Sequence, residues 1–347
     1  MKENIIMAAI LCVALFFPLP ISCPAQEMGV GDDAILMSEV FFQSEGETVE
    51  GILLYPTSYR EEGNPGVIIL HGLGWTREIF YGESEETDLF HLRYNLADEL
   101  CKRGFFTLIY DQRGHGGSKS DMDLVLMIKD AINAITYLQG LPEIDPDRIG
   151  IIGHSMGSYI ATIVAGMDER VKATALWAAP ATLDVRSLFA PLGELFPLFM
   201  AIANILLPLV DEIARIMATT IGTDVGISLE EGRVDLVGMA LSERGLMIKH
   251  QWLYTSLYSI LNFFDQCQEY NAANYVSEIQ PNPVLIVQGT GDALVAPGNA
   301  NLLYEAAGEP KELVMVEGTG HRFTEPLDKR EEVIQYTSDW IFRELSV

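Results

Sequence analysis

The chain has 347 residues, 49% of them apolar, enough for one large α/β domain with an insertion or for two smaller domains, and this excludes a disordered polymer. Its 22 Lys and Arg stand against 49 Asp and Glu, a formal charge of −27. Such a surface repels phosphate backbones and anionic lipid, which argues against a nucleic-acid partner without naming a substrate; solubility is its plain meaning, adaptation to salt a further one.

Residues 1–25 read as an export signal. Lys2 precedes the apolar run Ile5–Phe17, which Pro18 and Pro20 end. The run is short for a bilayer span, which needs about 20 residues. Cys23 and Ala25 are small residues suited to cleavage after Ala25. Cys23 has a competing use as a lipidated N-terminus behind Leu19-Pro20-Ile21-Ser22, a loose lipobox with Pro20 where Leu is usual. An uncleaved anchor is the remaining alternative. The chain is expected to be exported, either secreted or tethered to the outer face of the cell membrane. Cys101 and Cys267 lie in the folded part, too few for a disulfide scaffold and without metal-site spacing. Cys101 reads as a buried free thiol, and a Cys101–Cys267 bridge stays open.

Val40 to Pro56 alternates around a polar turn at Gly46 and reads as an antiparallel hairpin. Val67-Ile68-Ile69-Leu70 is then a buried strand, Leu89 to Arg103 a helix closed by Gly104, and Phe105 to Tyr110 the next strand. Leu124 to Leu138 is helical, with Ile128, Ala131, Ile132 and Ile135 on one face. Ile149 to Ile152 is a strand, a helix starts at Met156, and Ala173 to Ala178 is a further strand. Val284–Val287 and Leu313–Val316 are strands flanking a helix over Asn299–Ala307, and Glu331–Leu345 is the closing helix. Apolar strands alternating with helices predict an α/β fold with a doubly wound, mostly parallel sheet covered on both faces. The alternation breaks between 180 and 275. That stretch reads as a helical cap inserted in a core made of 26–179 and 276–347. Leu195 to Val210 could be taken for a membrane span, but it holds two prolines and Asn204 and is short for one.

Gly153-His154-Ser155-Met156-Gly157 joins the strand ending at Ile152 to the helix beginning at Met156. A sharp strand-to-helix turn presents one side chain above the sheet edge, and its flanks need glycine because the backbone is cramped. A serine hydroxyl needs a base to take its proton, and the base needs a carboxylate to fix its tautomer. Asp292 follows the strand Val284–Val287, and His321 follows Leu313–Val316. Loops at strand carboxyl ends face one crevice, so Ser155, Asp292 and His321 should converge there as nucleophile, acid and base. Asp265, Glu312 and Glu317 are rival acids with poorer loop placement. Among the other histidines, His71 should brace a loop, His154 should point away from Ser155, and His115 lies in a loop after another strand. His91 lies near a helix start and His250 in the insertion. The oxyanion would need backbone N–H donors: Met156 at the helix start, and Leu73 in the loop His71-Gly72-Leu73-Gly74.

Together with Asp111-Gln112-Arg113-Gly114-His115-Gly116-Gly117-Ser118, these motifs resemble the α/β-hydrolase superfamily. Within it, the chain is similar to the serine aminopeptidase and monoglyceride-lipase-like branch, which also holds feruloyl and cinnamoyl esterases. The resemblance runs from about residue 40 to the end, the insertion excepted. Ser155 departs from the dehalogenase pattern, which has Asp there, and from the dienelactone-hydrolase pattern, which has Cys. The resemblance implies Ser155 as nucleophile, Asp292 as acid, His321 as base, Leu73 and Met156 as oxyanion donors, and neither metal nor organic cofactor. It also implies that the cap sets substrate choice. The apolar segments between Leu188 and Met217 suggest a greasy lining for an acyl or aromatic ester, or else the cap's own core. Trp252, Tyr254, Tyr258, Phe263 and Phe264 fit either. The expected activity is a carboxylesterase or lipase-like hydrolase acting on a small ester. A peptidase on short peptides would need a cap carboxylate such as Glu212, Glu230 or Glu231. A non-catalytic binding protein on the same fold is the alternative from another class.

Overall fold

The computed structural model describes residues 26–28, 34–82, 93–118, 120–183, 225–227, 230–231, 234–235, 238–242, 245–250, 253–323 and 327–346. The export signal, Cys23 and the apolar segments between Leu188 and Met217 lie outside them. Strand β1 (Gln26–Met28) pairs antiparallel with β2 (Ile35–Ser44), and β2 with β3 (Glu47–Pro56). The hairpin expected around Gly46 is β2–β3. Next come β4 (Asn64–Leu70), α1 (Leu96–Lys102), β5 (Phe106–Tyr110), α2 (Leu124–Gln139), β6 (Ile144–His154), α3 (Met156–Met167) and β7 (Val171–Trp177). After the insertion follow β12 (Val284–Gly289), α5 (Gly298–Ala306), β13 (Lys311–Val316) and α6 (Leu327–Leu345).

These strands form one sheet in the order β1-β2-β3-β5-β4-β6-β7-β12-β13. From β5 onward every pairing is parallel, and β3 meets β5 antiparallel. The chain's own residues explain why the sheet is covered twice. In β4, Ile68 and Leu70 point into one core with Met127, Ile128 and Ile160, while Val67 and Ile69 point into the other with Leu96, Leu100 and Ile341. β12 repeats the split, with Val284 and Ile286 on the first face and Leu285 and Val287 on the second. A strand apolar at every position has two faces to bury, and helices supply both covers. Helix α2 does so with Leu124, Met127, Ile128, Ala131, Ala134, Ile135 and Leu138, and its N-cap Asp123 accepts the Leu126 N–H at 3.0 Å.

The described part of the insertion departs from the helical expectation between Val225 and Ser256, while residues 184–224 of it lie outside the described set. Its described residues form a four-stranded antiparallel sheet of β8 (Val225–Ile227), β9 (Gly238–Ser242), β10 (Gly245–His250) and β11 (Leu253–Ser256), with a short antiparallel pair of Glu230–Glu231 and Val234–Asp235 between β8 and β9 in sequence, followed by α4 (Leu257–Glu269). Met239, Ala240 and Leu241 are good helix formers, so local preference pointed the wrong way, and pairing with two neighbours decided the conformation. The Thr255 hydroxyl accepts the Met122 N–H at 2.9 Å and Asp121 accepts the Ser256 N–H at 3.0 Å, tying β11 to the loop before α2. Helix α1 begins at Leu96 rather than Leu89, and residues 83–92 lie outside the described set. Cys101 and Cys267 are both buried and unbridged. Among the described residues, no helix is long and apolar enough to cross a membrane.

Candidate active site

Ser155 sits between β6 and α3 with φ 54° and ψ −119°. A non-glycine residue adopts that conformation only when its surroundings over-determine it. The surroundings are visible on both sides. A Cβ on Gly153 would lie 2.4 Å from the Gly157 carbonyl, and one on Gly157 would lie 2.1 Å from the Leu70 oxygen. Both glycines are therefore required by contact between backbones. The Ser155 N–H donates to the Trp177 carbonyl at 2.8 Å. Ser158, fully buried, donates to the Gly153 carbonyl at 2.5 Å and accepts the Trp177 N–H at 2.9 Å. The turn is thus pinned to β7.

Asp292 and His321 meet, as their loops predicted. His321 Nδ1 donates to Asp292 Oδ2 at 2.8 Å. The other Asp292 partners are the Leu294 and Val295 N–H groups on Oδ1, both at 2.9 Å, and Gln288 Nε2 on Oδ2 at 3.0 Å. Burial pushes this carboxyl up, but the His321, Val295 and Gln288 hydrogen bonds outweigh it and hold Asp292 below the usual carboxylate range. An ionised carboxylate only accepts, so Nδ1 of His321 carries a proton, and the neutral ring has its lone pair on Nε2. Among the described residues, no hydrogen bond joins the Ser155 hydroxyl to His321. Such contacts are commonly long in unliganded sites and tighten around substrate. The rival acids are elsewhere: Asp265 and Glu317 are exposed, and Glu312 binds Arg343 at 3.2 Å.

The loop after β4 lies against the serine, since a Cβ on Gly72 would be 3.3 Å from Ser155 Cβ. His71 braces this loop. Its Nδ1 donates to the Gly72 carbonyl at 2.9 Å, its Nε2 accepts the Gln112 N–H at 3.0 Å, and Gln112 Nε2 donates to the His71 carbonyl at 2.6 Å. Burial lowers the His71 pKa to about 4, so the ring is neutral at ordinary pH. Leu73 stands at the tip with its side chain 44% exposed. Met156 is the first residue of α3, so its N–H has no partner within the helix.

The Asp111–Ser118 motif is structural. Asp111 accepts the Arg77 and Gly117 N–H groups at 2.8 and 2.9 Å, and buried Arg113 grips buried Asp130 through Nε at 2.7 Å and Nη2 at 2.9 Å. A cleft of about 430 Å³ opens beside Arg77, Asp111 and Arg113, and none of Ser155, Asp292 and His321 lines it. Among the described residues, no cluster of His, Cys, Asp and Glu could hold a metal ion. Phe263 and Phe264 are buried in the main core, which favours the core over the lining for this pair of insertion aromatics.

The supporting roles of three residues escaped the sequence reading, which for His154 went no further than pointing away from Ser155. Gln288, a polar end to an apolar strand, was a legible signal. His154 and Tyr94 were not: His154 Nε2 donates to the His321 carbonyl at 2.9 Å, and the Tyr94 hydroxyl donates to the Arg322 carbonyl at 2.6 Å.

A family model described as alpha/beta hydrolase fold matches residues 65–323. The polyketide transferase ATR5 of Stachybotrys chlorohalonatus is 27% identical over 289 residues, 81% of this chain and 88% of that one. Hypothetical protein PA2218 from Pseudomonas aeruginosa has a similar structure, with TM-score 0.66 and 20% identity over 91% of this chain and 96% of that one. The esterase domain of a Rhodothermus marinus protein gives TM-score 0.54 and 17% identity over 89% and 99%. These structural likenesses are likenesses of fold.

Proposed function

This chain belongs to the α/β-hydrolase family, and from that premise we propose that it is a serine hydrolase cleaving carboxylic esters through an acyl-enzyme on Ser155. The observation that carries the reading is the His321–Asp292 hydrogen bond of 2.8 Å, in a loop bonded to His154, the residue before a serine held in a strained turn. His321 Nε2, its lone pair free, takes the Ser155 proton as Oγ attacks the ester carbonyl. Asp292 stabilises the imidazolium that results. The Met156 and Leu73 N–H groups receive the oxyanion, each worth on the order of 3 kcal/mol in such a site. His321 then protonates the leaving alcohol, and a water activated by the same ring releases the acid. No metal or organic cofactor has a part in this scheme.

Support for ester chemistry comes from the family and from the fold shared with an esterase domain. The finer placement, near the serine aminopeptidase and monoglyceride-lipase-like enzymes, belongs to the same proposal. So do export through residues 1–25 and a tether at Cys23. A fluorophosphonate probe should label the folded protein, and the label should vanish in Ser155→Ala. Absent labelling, or labelling that survives the substitution, would refute the nucleophile. Parallel turnover of p-nitrophenyl acyl esters and aminoacyl amides separates esterase from peptidase.

The similarity to a polyketide transferase over 81% of the chain favours one further reading, in which an acceptor other than water resolves the acyl-enzyme. Adding small alcohols during ester turnover tests it. Transfer products forming faster than free acid would support the transferase.

A further inference from the structure

We propose that His154 and Tyr94 act as a clasp that positions His321, each holding one of two successive peptide carbonyls in its loop. This rests on the reading of His321 as the base. His154 Nε2 lies 2.9 Å from the His321 oxygen, and the Tyr94 hydroxyl lies 2.6 Å from the Arg322 oxygen. A carbonyl accepts and cannot donate, so the His154 proton is on Nε2. Its Nδ1 is a buried lone pair without a hydrogen-bond partner. Leaving a buried polar atom unpaired is unfavourable, and the ring keeps this orientation because the Nε2 contact and its stacking hold it there.

The clasp is packed as well as bonded. Trp75 stacks on His154 with centroids 4.4 Å apart and planes 10° from parallel. Tyr94 contacts Trp75 at 5.8 Å and Trp177 at 5.7 Å. The Arg322 guanidinium lies over the Trp75 ring, 5.4 Å from its centroid. The two donors are buried, His154 at 1% and Tyr94 at 2% exposed, so neither side chain has water as an alternative partner. Burial lowers the His154 pKa to about 3, which keeps the ring a single-proton donor through the working range.

The held His321 carbonyl fixes the plane of the peptide that follows the His321 Cα, and the held Arg322 carbonyl anchors the next peptide, so the backbone on that side of His321 cannot swing and carry its side chain with it. The next residue needs that help, since Phe323 turns the chain with φ 51°. Asp292 holds the ring end of His321, while His154 and Tyr94 hold its backbone end. Neither clasp residue is assigned contact with substrate; they act through His321.

The test uses Tyr94→Phe, His154→Phe and His154→Gln in the full chain. The phenylalanines keep the stacked rings and delete the donor; glutamine keeps an N–H donor of similar reach. Steady-state ester turnover, fluorophosphonate labelling rate and thermal midpoint are measured for each. Misplacing a catalytic group by about 1 Å can cost on the order of a hundredfold. Tyr94→Phe and His154→Phe should therefore lower kcat and labelling rate by about ten- to a hundredfold with KM little changed, and His154→Gln should recover most of the loss. Folded phenylalanine variants with wild-type kcat, or a glutamine variant as slow as His154→Phe, would overturn the clasp. Should the wild type neither label nor turn over esters, the reading of Ser155 fails first. The clasp is then judged by the low-field proton resonance of the His321–Asp292 hydrogen bond. Broadening of that resonance in His154→Phe supports the clasp, and an unchanged resonance rejects it.

Discussion

Asp292 accepts from four donors, and the one from His321 decides which imidazole nitrogen keeps a lone pair. Asn at this position offers an amide that can donate, which lets the ring settle with its proton on the other nitrogen. Asp292→Asn should lower kcat by about 10⁴-fold, with a far-ultraviolet spectrum like that of the wild type. Steady-state kinetics beside circular dichroism checks both halves. The same scale shows why parts of the site were legible and others were not. Ser155 stands two residues from a glycine on each side, and Asp292 and His321 each directly follow one, all just after a strand, which is a local pattern. Tyr94 and Arg322 meet across most of the chain's length, and nothing near Tyr94 marks it as a donor to a distant carbonyl.

At the scale of elements, the loop after β5 is moored to helix α2 through Arg113 and Asp130, whose side chains are 5% and 2% exposed. Removing one member of a buried pair leaves the other charge uncompensated, which costs about 3–5 kcal/mol. Asp130→Ala should lose stability of that order in urea unfolding, whereas Arg113→Met with Asp130→Leu should recover much of it. Equal losses in the two would show that packing, and not charge, dominates there. Elements buried on two faces were legible because their apolar runs leave no alternative. The described strands of the insertion were not, since β8 to β11 owe their conformation to one another. Alternating residues such as Leu246 and Ile248 carried a strand signal, but the helix-forming composition around them masked it.

Across the whole molecule, three buried imidazoles are kept neutral. Burial lowers His71 to about 4 and His115 and His154 to about 3, with a repulsive neighbouring ring adding to the effect at His115 and His154. In the unfolded chain they take up a proton near pH 6.5. Between those values the unfolded state binds more protons, so this contribution to stability is complete above about pH 6.5 and declines as pH falls toward 4. Each neutral ring contributes a slope of up to about 1.4 kcal/mol per pH unit. The urea midpoint should therefore drop clearly from pH 7 to pH 5. A midpoint level over that range would show that these rings are not held neutral in the fold.

The amino-acid sequence alone determined the layered α/β architecture and the three residues proposed for chemistry. Apolar strands fully buried on both faces can pack in few ways, and a serine flanked by obligatory glycines marks the turn wherever it is read. Only the tertiary structure decided that the described part of the insertion carries an antiparallel sheet and that His154 and Tyr94 hold the backbone of His321. Those features depend on partners distant along the chain or on pairing between strands. A hydrogen bond across such a distance leaves no periodicity for the sequence to display.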